Sequence, residues 1–149
     1  MHRTVATALL AASALAGATS VRPLTFAQQA RQAEVIVRAT VGAGQTVTED
    51  GLTWTVYPLT VAETIAGNAA DLPRRGDQPA LYILNGVDDA PTFKAGAEAV
   101  LLLYKARLDS PIVGFNAGLY PVEDGKVTRG DTPDLAAFKT ALLKAREAQ

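Results

Sequence analysis

Between Leu52 and Ile65 the large apolar side chains change parity, and this constrains the fold more than anything else in the chain. They occupy even positions at Leu52, Trp54 and Val56, with Thr53 and Thr55 between them. After Tyr57-Pro58 they occupy odd positions at Leu59, Val61 and Ile65, with Thr60, Ala62 and Thr64 between. Successive strand residues face opposite sides of a sheet, so the pattern describes one long strand that changes the face it buries. Pro58 has no N–H to give to a ladder and fits a bulge at that change. A coiled barrel, where one strand serves two parts of the sheet, needs such an element. Two separate strands joined by an edge kink at Pro58 would leave the same residues.

The flanking sequence supplies partners. Thr25-Phe26-Ala27-Gln28 is a capping-box pattern and opens a helix of one or two turns. Val35, Val37, Ala39 and Val41 recur with period two, with Glu34, Arg38 and Thr40 between them, as a half-buried strand, after which Gly42-Ala43-Gly44 and Glu49-Asp50-Gly51 bracket a loop. Ala69 to Pro79 is expected to be an irregular connection. Ala80 to Leu84 and Val100 to Tyr104 follow as apolar strands, and the second, apolar on both faces, is the more central. Ile112 to Val122 is a strand interrupted at Gly114 and Gly118, and Asp124-Gly125 turns it into a hairpin with Val127. The chain closes with an amphipathic helix over about 133–147, with Thr132 as N-cap, Pro133 at its first position and Leu135, Phe138 and Leu142 on one stripe. The fold expected is mainly β: a small OB-like barrel of five or six strands, with a short N-terminal helix and a C-terminal amphipathic helix.

Residues 1–18 read as a secretory signal peptide. Arg3 is followed by the apolar run Val5 to Leu15 and then by the small residues Ala16-Gly17-Ala18, with cleavage expected after Ala18. The run is too short to span a bilayer, and no later segment is apolar enough to anchor the chain. Residues 19–149 then form a single exported domain, periplasmic or extracellular. Loss of Arg3 leaves a net charge of about −2, which gives no electrostatic reason to bind nucleic acid.

The expected mature domain also lacks the usual instruments of catalysis. The chain has no Cys, and its one His and one Met are His2 and Met1. Nucleophilic catalysis at Ser20 or Ser110 has no imidazole to serve as base, and soft-metal sites have no soft ligand. No catalytic residue, metal ligand or cofactor is therefore assigned.

Several segments together resemble a known group. They are Ala33-Glu34-Val35-Ile36-Val37 after a short helix, and Val61 to Gly67 at the end of the long strand. Phe93-Lys94-Ala95-Gly96 ahead of Val100 to Tyr104, and Gly114 to Tyr120 before a hairpin, complete the set. Over Leu24 to Arg129 the chain is similar to small exported bacterial proteins with an OB barrel like that of netrin modules and tissue inhibitors of metalloproteinases. The resemblance implies a barrel and a binding role. The inhibitor branch acts through an amino-terminal Cys that chelates the protease zinc, and with no Cys here that mechanism does not transfer.

Candidate partner-binding residues fall in two loops. Asn85, Asp88 and Asp89 offer hard oxygen atoms in a segment whose composition also suits an ordinary turn. Phe115, Asn116 and Tyr120, beside Gly114 and Gly118, are expected at the surface, whereas Trp54 and Tyr82 belong in the core. Arg74-Arg75 offers cations to an anionic partner or forms a solvated loop. The function expected is an exported, non-catalytic interaction module that binds a protein or glycan of the envelope or medium, with inhibition of a secreted peptidase as one output. The alternative is a carboxylate-dependent hydrolase or binder of envelope glycans acting through Asp88 and Asp89.

Overall fold

A computed structural model describes residues 22–148. The expected leader, residues 1–18, lies outside the described residues. Within them the fold is mainly β, an antiparallel sheet of eight strands with two helices. The sheet does not close on itself. No helix among the described residues is long and apolar enough to cross a membrane.

Helix α1 (Phe26–Gln32) starts as its sequence predicts. Thr25 Oγ1 accepts from the Gln28 N–H at 3.1 Å, and Gln28 Oε1 accepts from the Thr25 N–H at 2.9 Å. Ala33 is already extended and leads into β1 (Val35–Val41), followed by β2 (Gln45–Glu49) and β3 (Leu52–Ala66). Next come β4 (Arg74–Arg75), β5 (Gln78–Leu84), β6 (Ala97–Leu103), β7 (Leu119–Glu123), β8 (Lys126–Val127) and α2 (Leu135–Glu147). The sheet order is β4-β5-β3-β1-β6-β7-β8, with β2 added beside β3.

β3 is one unbroken strand of 15 residues with two sets of neighbours. Its first half pairs with β2 on one side and with β5 on the other, from Trp54↔Leu84 to Pro58↔Ala80. Its second half pairs with β1. The change of face is real: Trp54 and Val56 pack with Ala80 and Tyr82, while Tyr57 and Leu59 join Val35, Val37, Leu101 and Leu103 in the main core.

The bulge expected at Pro58 is not there. Register is continuous through Pro58, and the shifts fall further on, opposite Ile36/Val37 and Arg38/Ala39. The neighbouring strand takes up the break instead, because β1 and β2 are separated by Gly42-Ala43-Gly44, alongside Tyr57 and Pro58. The Gly42 N–H donates to the Pro58 carbonyl at 2.8 Å, and a Cβ on Gly42 would lie 2.8 Å from Pro58 Cγ. Residues 45–49, expected as loop, are consequently a strand. They are closed onto β3 by the two-residue turn Asp50-Gly51, whose φ values of 52° and 79° are those of a type I′ hairpin.

The sheet is buried on both faces by different covers. The main core lies on one face. On the other, Ile36, Val100, Leu102 and Val122 pack under the two helices with Ala30, Phe138 and Leu142. Arg146 of α2 donates to the carbonyls of Ala30 and Ala33 at 2.7 and 2.6 Å, so it satisfies the C-terminal end of α1. Lys139 reaches both carboxylate oxygens of Glu63 at 2.9 Å and ties α2 to β3. The Trp54–Tyr82 cluster is covered by Arg107, whose guanidinium stacks 3.7 Å from the Tyr82 ring centroid and meets Glu49 at 2.6 Å.

Two boundaries differ from the sequence reading. Helix α2 starts after Asp134, whose carboxylate accepts from the Ala137 N–H at 2.9 Å, not after Thr132. Pro133 is held outside the helix because its carbonyl accepts from the Val127 N–H at 2.9 Å. The strand expected from Ile112 is regular only from Leu119. Arg74 and Arg75, expected in irregular chain, form the short β4.

Gly42→Ala should lower stability by about 1–3 kcal/mol, because the new methyl meets the Pro58 ring. Adding Pro58→Ala removes the opposing Cγ and should recover part of that loss. Denaturant unfolding of the two single variants and the double variant measures the coupling; additive losses would contradict the contact.

Candidate functional site

The irregular stretch before β7 is an excursion from the sheet edge. The Val113 N–H donates to the Leu102 carbonyl at 2.9 Å, and the Leu102 N–H donates to the Gly118 carbonyl at 2.9 Å. One residue of β6 therefore holds both ends of the loop Gly114–Ala117, and the Gly118 N–H closes its neck on the Val113 carbonyl at 2.8 Å.

Phe115 sits at the crest of this loop with φ +69°. The Asn116 N–H donates to the Gly114 carbonyl at 2.9 Å, which makes Phe115 the central residue of a γ-turn with positive φ, a rare and strained conformation. A bulky side chain in the left-handed region costs on the order of 1–3 kcal/mol and persists only where surroundings enforce it.

The surroundings here are specific. Asn116 Nδ2 donates to the Asp89 carbonyl at 2.8 Å, which ties the loop to the β5–β6 connection. Arg129 Nη1 lies within hydrogen-bonding distance of the carbonyls of Asn116, Ala117 and Leu119, at 3.3, 2.7 and 2.7 Å. Buried Ser110 donates its hydroxyl to the Phe115 carbonyl at 2.9 Å. Phe115 itself is only half-buried. With Tyr104, Leu24, Ala117, Gly114 and Arg22 it lines a cleft of about 510 Å³.

The six sequence candidates separate on this frame. Asp89, Phe115 and Asn116 come together through the Asn116 bond. Asp88 and Asp89 are exposed turn residues, and Asp89 has φ +58°. Asn85 is exposed at the end of β5, where its Oδ1 accepts from Thr55 Oγ1 at 2.6 Å and its N–H donates to the Thr53 carbonyl at 2.9 Å. It secures the β3–β5 ladder.

Tyr120 corrects the expectation of a surface residue: it is 4% exposed. Its ring packs against Phe26 and Phe138 with centroids 6.2 and 4.9 Å away, and Arg129 stands 4.9 Å from its centroid. Its hydroxyl donates to buried Gln29 Oε1. Only its edge reaches a second cavity of about 330 Å³, shared with Phe26, Phe138, Asp131 and Thr132. Trp54 and Tyr82 are core residues, as expected.

No local pattern marks Arg129, Tyr104 or Arg107 as part of a site. Arg129 reaches back over 10 to 13 residues to carbonyls, which no periodicity records. Among the described residues no group of three or more His, Cys, Asp or Glu is placed to hold a metal ion. Comparison with protein-family models, curated proteins and solved structures finds no match to this chain.

Burial raises the Tyr120 phenol above its ordinary value of 10.0, against the opposing effects of Arg129 and the Gln29 bond. The folded state therefore favours the neutral phenol. This contribution is complete below pH about 10 and is lost as pH rises through the raised folded value. Tyr120→Phe should cost about 1 kcal/mol at neutral pH by freeing Gln29, yet lose less stability on going to alkaline pH than the parent. Denaturant unfolding at both pH values measures this, and an equal alkaline loss would contradict it.

Proposed function

We propose that the protein is an exported, non-catalytic interaction module with an OB-like barrel architecture, whose partner is a protein of the cell envelope or medium. Export rests on the leader-like residues 1–18. The barrel reading draws on the face-changing β3 and on the resemblance carried by Val61 to Gly67 and Gly114 to Tyr120.

One observation carries the binding role. Phe115 is held in a strained turn by Asn116, Arg129 and Ser110, yet it is left partly exposed and lines a cleft. Strain kept by a dedicated network for the sake of core packing would bury the ring; here the ring lines an opening instead. A partner's apolar side chain seated between Phe115 and Tyr104 would bury both rings, the kind of aromatic anchor on which protein interfaces depend. Inhibition of a secreted peptidase is the output that this reading extends to.

The test separates stability from binding. Phe115→Gly relieves the positive φ, worth about 1 kcal/mol, and so offsets the apolar contact it loses. The thermal midpoint should be nearly unchanged. Proteins recovered from envelope and supernatant extracts by the parent should be lost with the variant, and any secreted peptidase inhibited by the parent should escape. Equal recovery by both proteins, or no partner with either, would contradict the proposal.

A further inference from the structure

Three edges of the sheet are blunted and a fourth, β2, is left largely open. β4 has two residues, both exposed arginines, Arg74 and Arg75. β8 has two residues, and Lys126 is bridged to Asp134. The far end of β5 is met by Asp109, whose carbonyl accepts from the Leu84 N–H at 3.4 Å. Charge, shortness and cover are the usual ways of blunting an edge. β2 is the least blunted: it is five residues long, Gln45-Thr46-Val47-Thr48-Glu49, without Pro, Lys or Arg, and its one charge, Glu49 at the turn end, is engaged by Arg107 at 2.6 Å. Among the described residues it pairs with β3 alone.

The phase of its free hydrogen-bonding groups follows from the hairpin. A two-residue type I′ turn at Asp50-Gly51 makes Glu49 and Leu52 a hydrogen-bonded pair, and such pairs alternate along an antiparallel ladder. Glu49, Val47 and Gln45 therefore spend their backbone groups on β3. Thr46 and Thr48 present theirs to the open side.

This edge is complementary to itself. Placed antiparallel to a second β2 about a two-fold axis through Val47, it sets Thr46 opposite Thr48, Val47 opposite Val47, and Gln45 opposite Glu49. Each Thr46/Thr48 pair is then a hydrogen-bonded pair that uses the groups β3 leaves free, and Val47/Val47 is the close, non-hydrogen-bonded pair between them. The side-chain pairs match as well. Thr faces Thr, Val faces Val, and the Gln45 amide donates to the Glu49 carboxylate, which already holds Arg107 at 2.6 Å. A one-residue slip in either direction would break every one of these matches.

We propose that the β2 edge is a self-association surface, and that a second copy of this chain adds its own β2 to join the two sheets across a two-fold axis. The surface is separate from the Phe115 cleft and stands independently of it. A five-residue edge buries less than a stable dimer interface, so the association is reversible and concentration-dependent.

Sedimentation of the protein from about 10 µM to about 1 mM should show a monomer–dimer equilibrium. Gln45→Lys places a cation opposite Glu49 twice per dimer and should tighten the dimer on the order of fivefold; Gln45→Glu should weaken it by a similar factor. Thr46→Pro removes an N–H that β3 does not use and should abolish the dimer while leaving the fold intact. Because the chain has no Cys, Val47→Cys should form an intermolecular disulfide on oxidation, much faster than Leu143→Cys on exposed α2. A monomer at every concentration would overturn the proposal. So would a dimer indifferent to both Gln45 variants, or equal crosslinking at Val47 and Leu143.

Discussion

The structure depends on β3 being buried on opposite faces at its two ends. Trp54 and Val56 face the cluster closed by Arg107, while Tyr57 and Leu59 face the core shared with β1 and β6. One strand thus joins two layers that would otherwise need separate sheets, and apolar burial on both sides fixes its register. A slip of one residue would place Trp54, Tyr57 and Leu59 all on the wrong faces. The glycines beside Pro58 make this possible at the backbone level, since they let the chain break between β1 and β2 where β3 runs on in continuous register through Pro58. The helices then cover what β3 leaves open on the β1–β6–β7 side, with Arg146 and Lys139 setting their seat.

Features written in local chemistry were legible in the sequence. The Thr25–Gln28 box, the Asp124-Gly125 hairpin and the alternation from Val35 to Val41 each specify their element within a few residues. The parity change in β3 was legible too, but its mechanism was not, because Pro58 marks strain without saying which strand yields. β2 was missed because Gln45-Thr46-Val47-Thr48-Glu49 carries one apolar residue and is a strand only through its pairing with β3. The start of α2 moved because Pro133 is tied to Val127, a contact between segments that a helix-start signal does not contain.

The candidate site shows the same division. Gly114 and Gly118 marked an interruption, and Phe115 and Asn116 were singled out beside them. What makes the loop distinctive lies in long-range bonds: Asn116 to Asp89, Arg129 to three carbonyls, Ser110 to Phe115. Tyr120, two residues past Gly118, resumes the strand alternation and therefore points under the helices. Its neighbours in sequence suggested a surface, and its parity in β7 overruled them. The loop thus holds one aromatic residue with positive φ partly exposed through bonds to three separate segments of the chain.

The most direct measurement is of nuclear Overhauser contacts from the methyl groups of β3. Val56 should contact the Tyr82 ring, and Leu59 should contact the methyls of Val41, with neither residue touching the other's cluster. If Val56 and Leu59 instead share one set of contacts, β3 does not divide its burial between two faces, and the architecture described here is wrong.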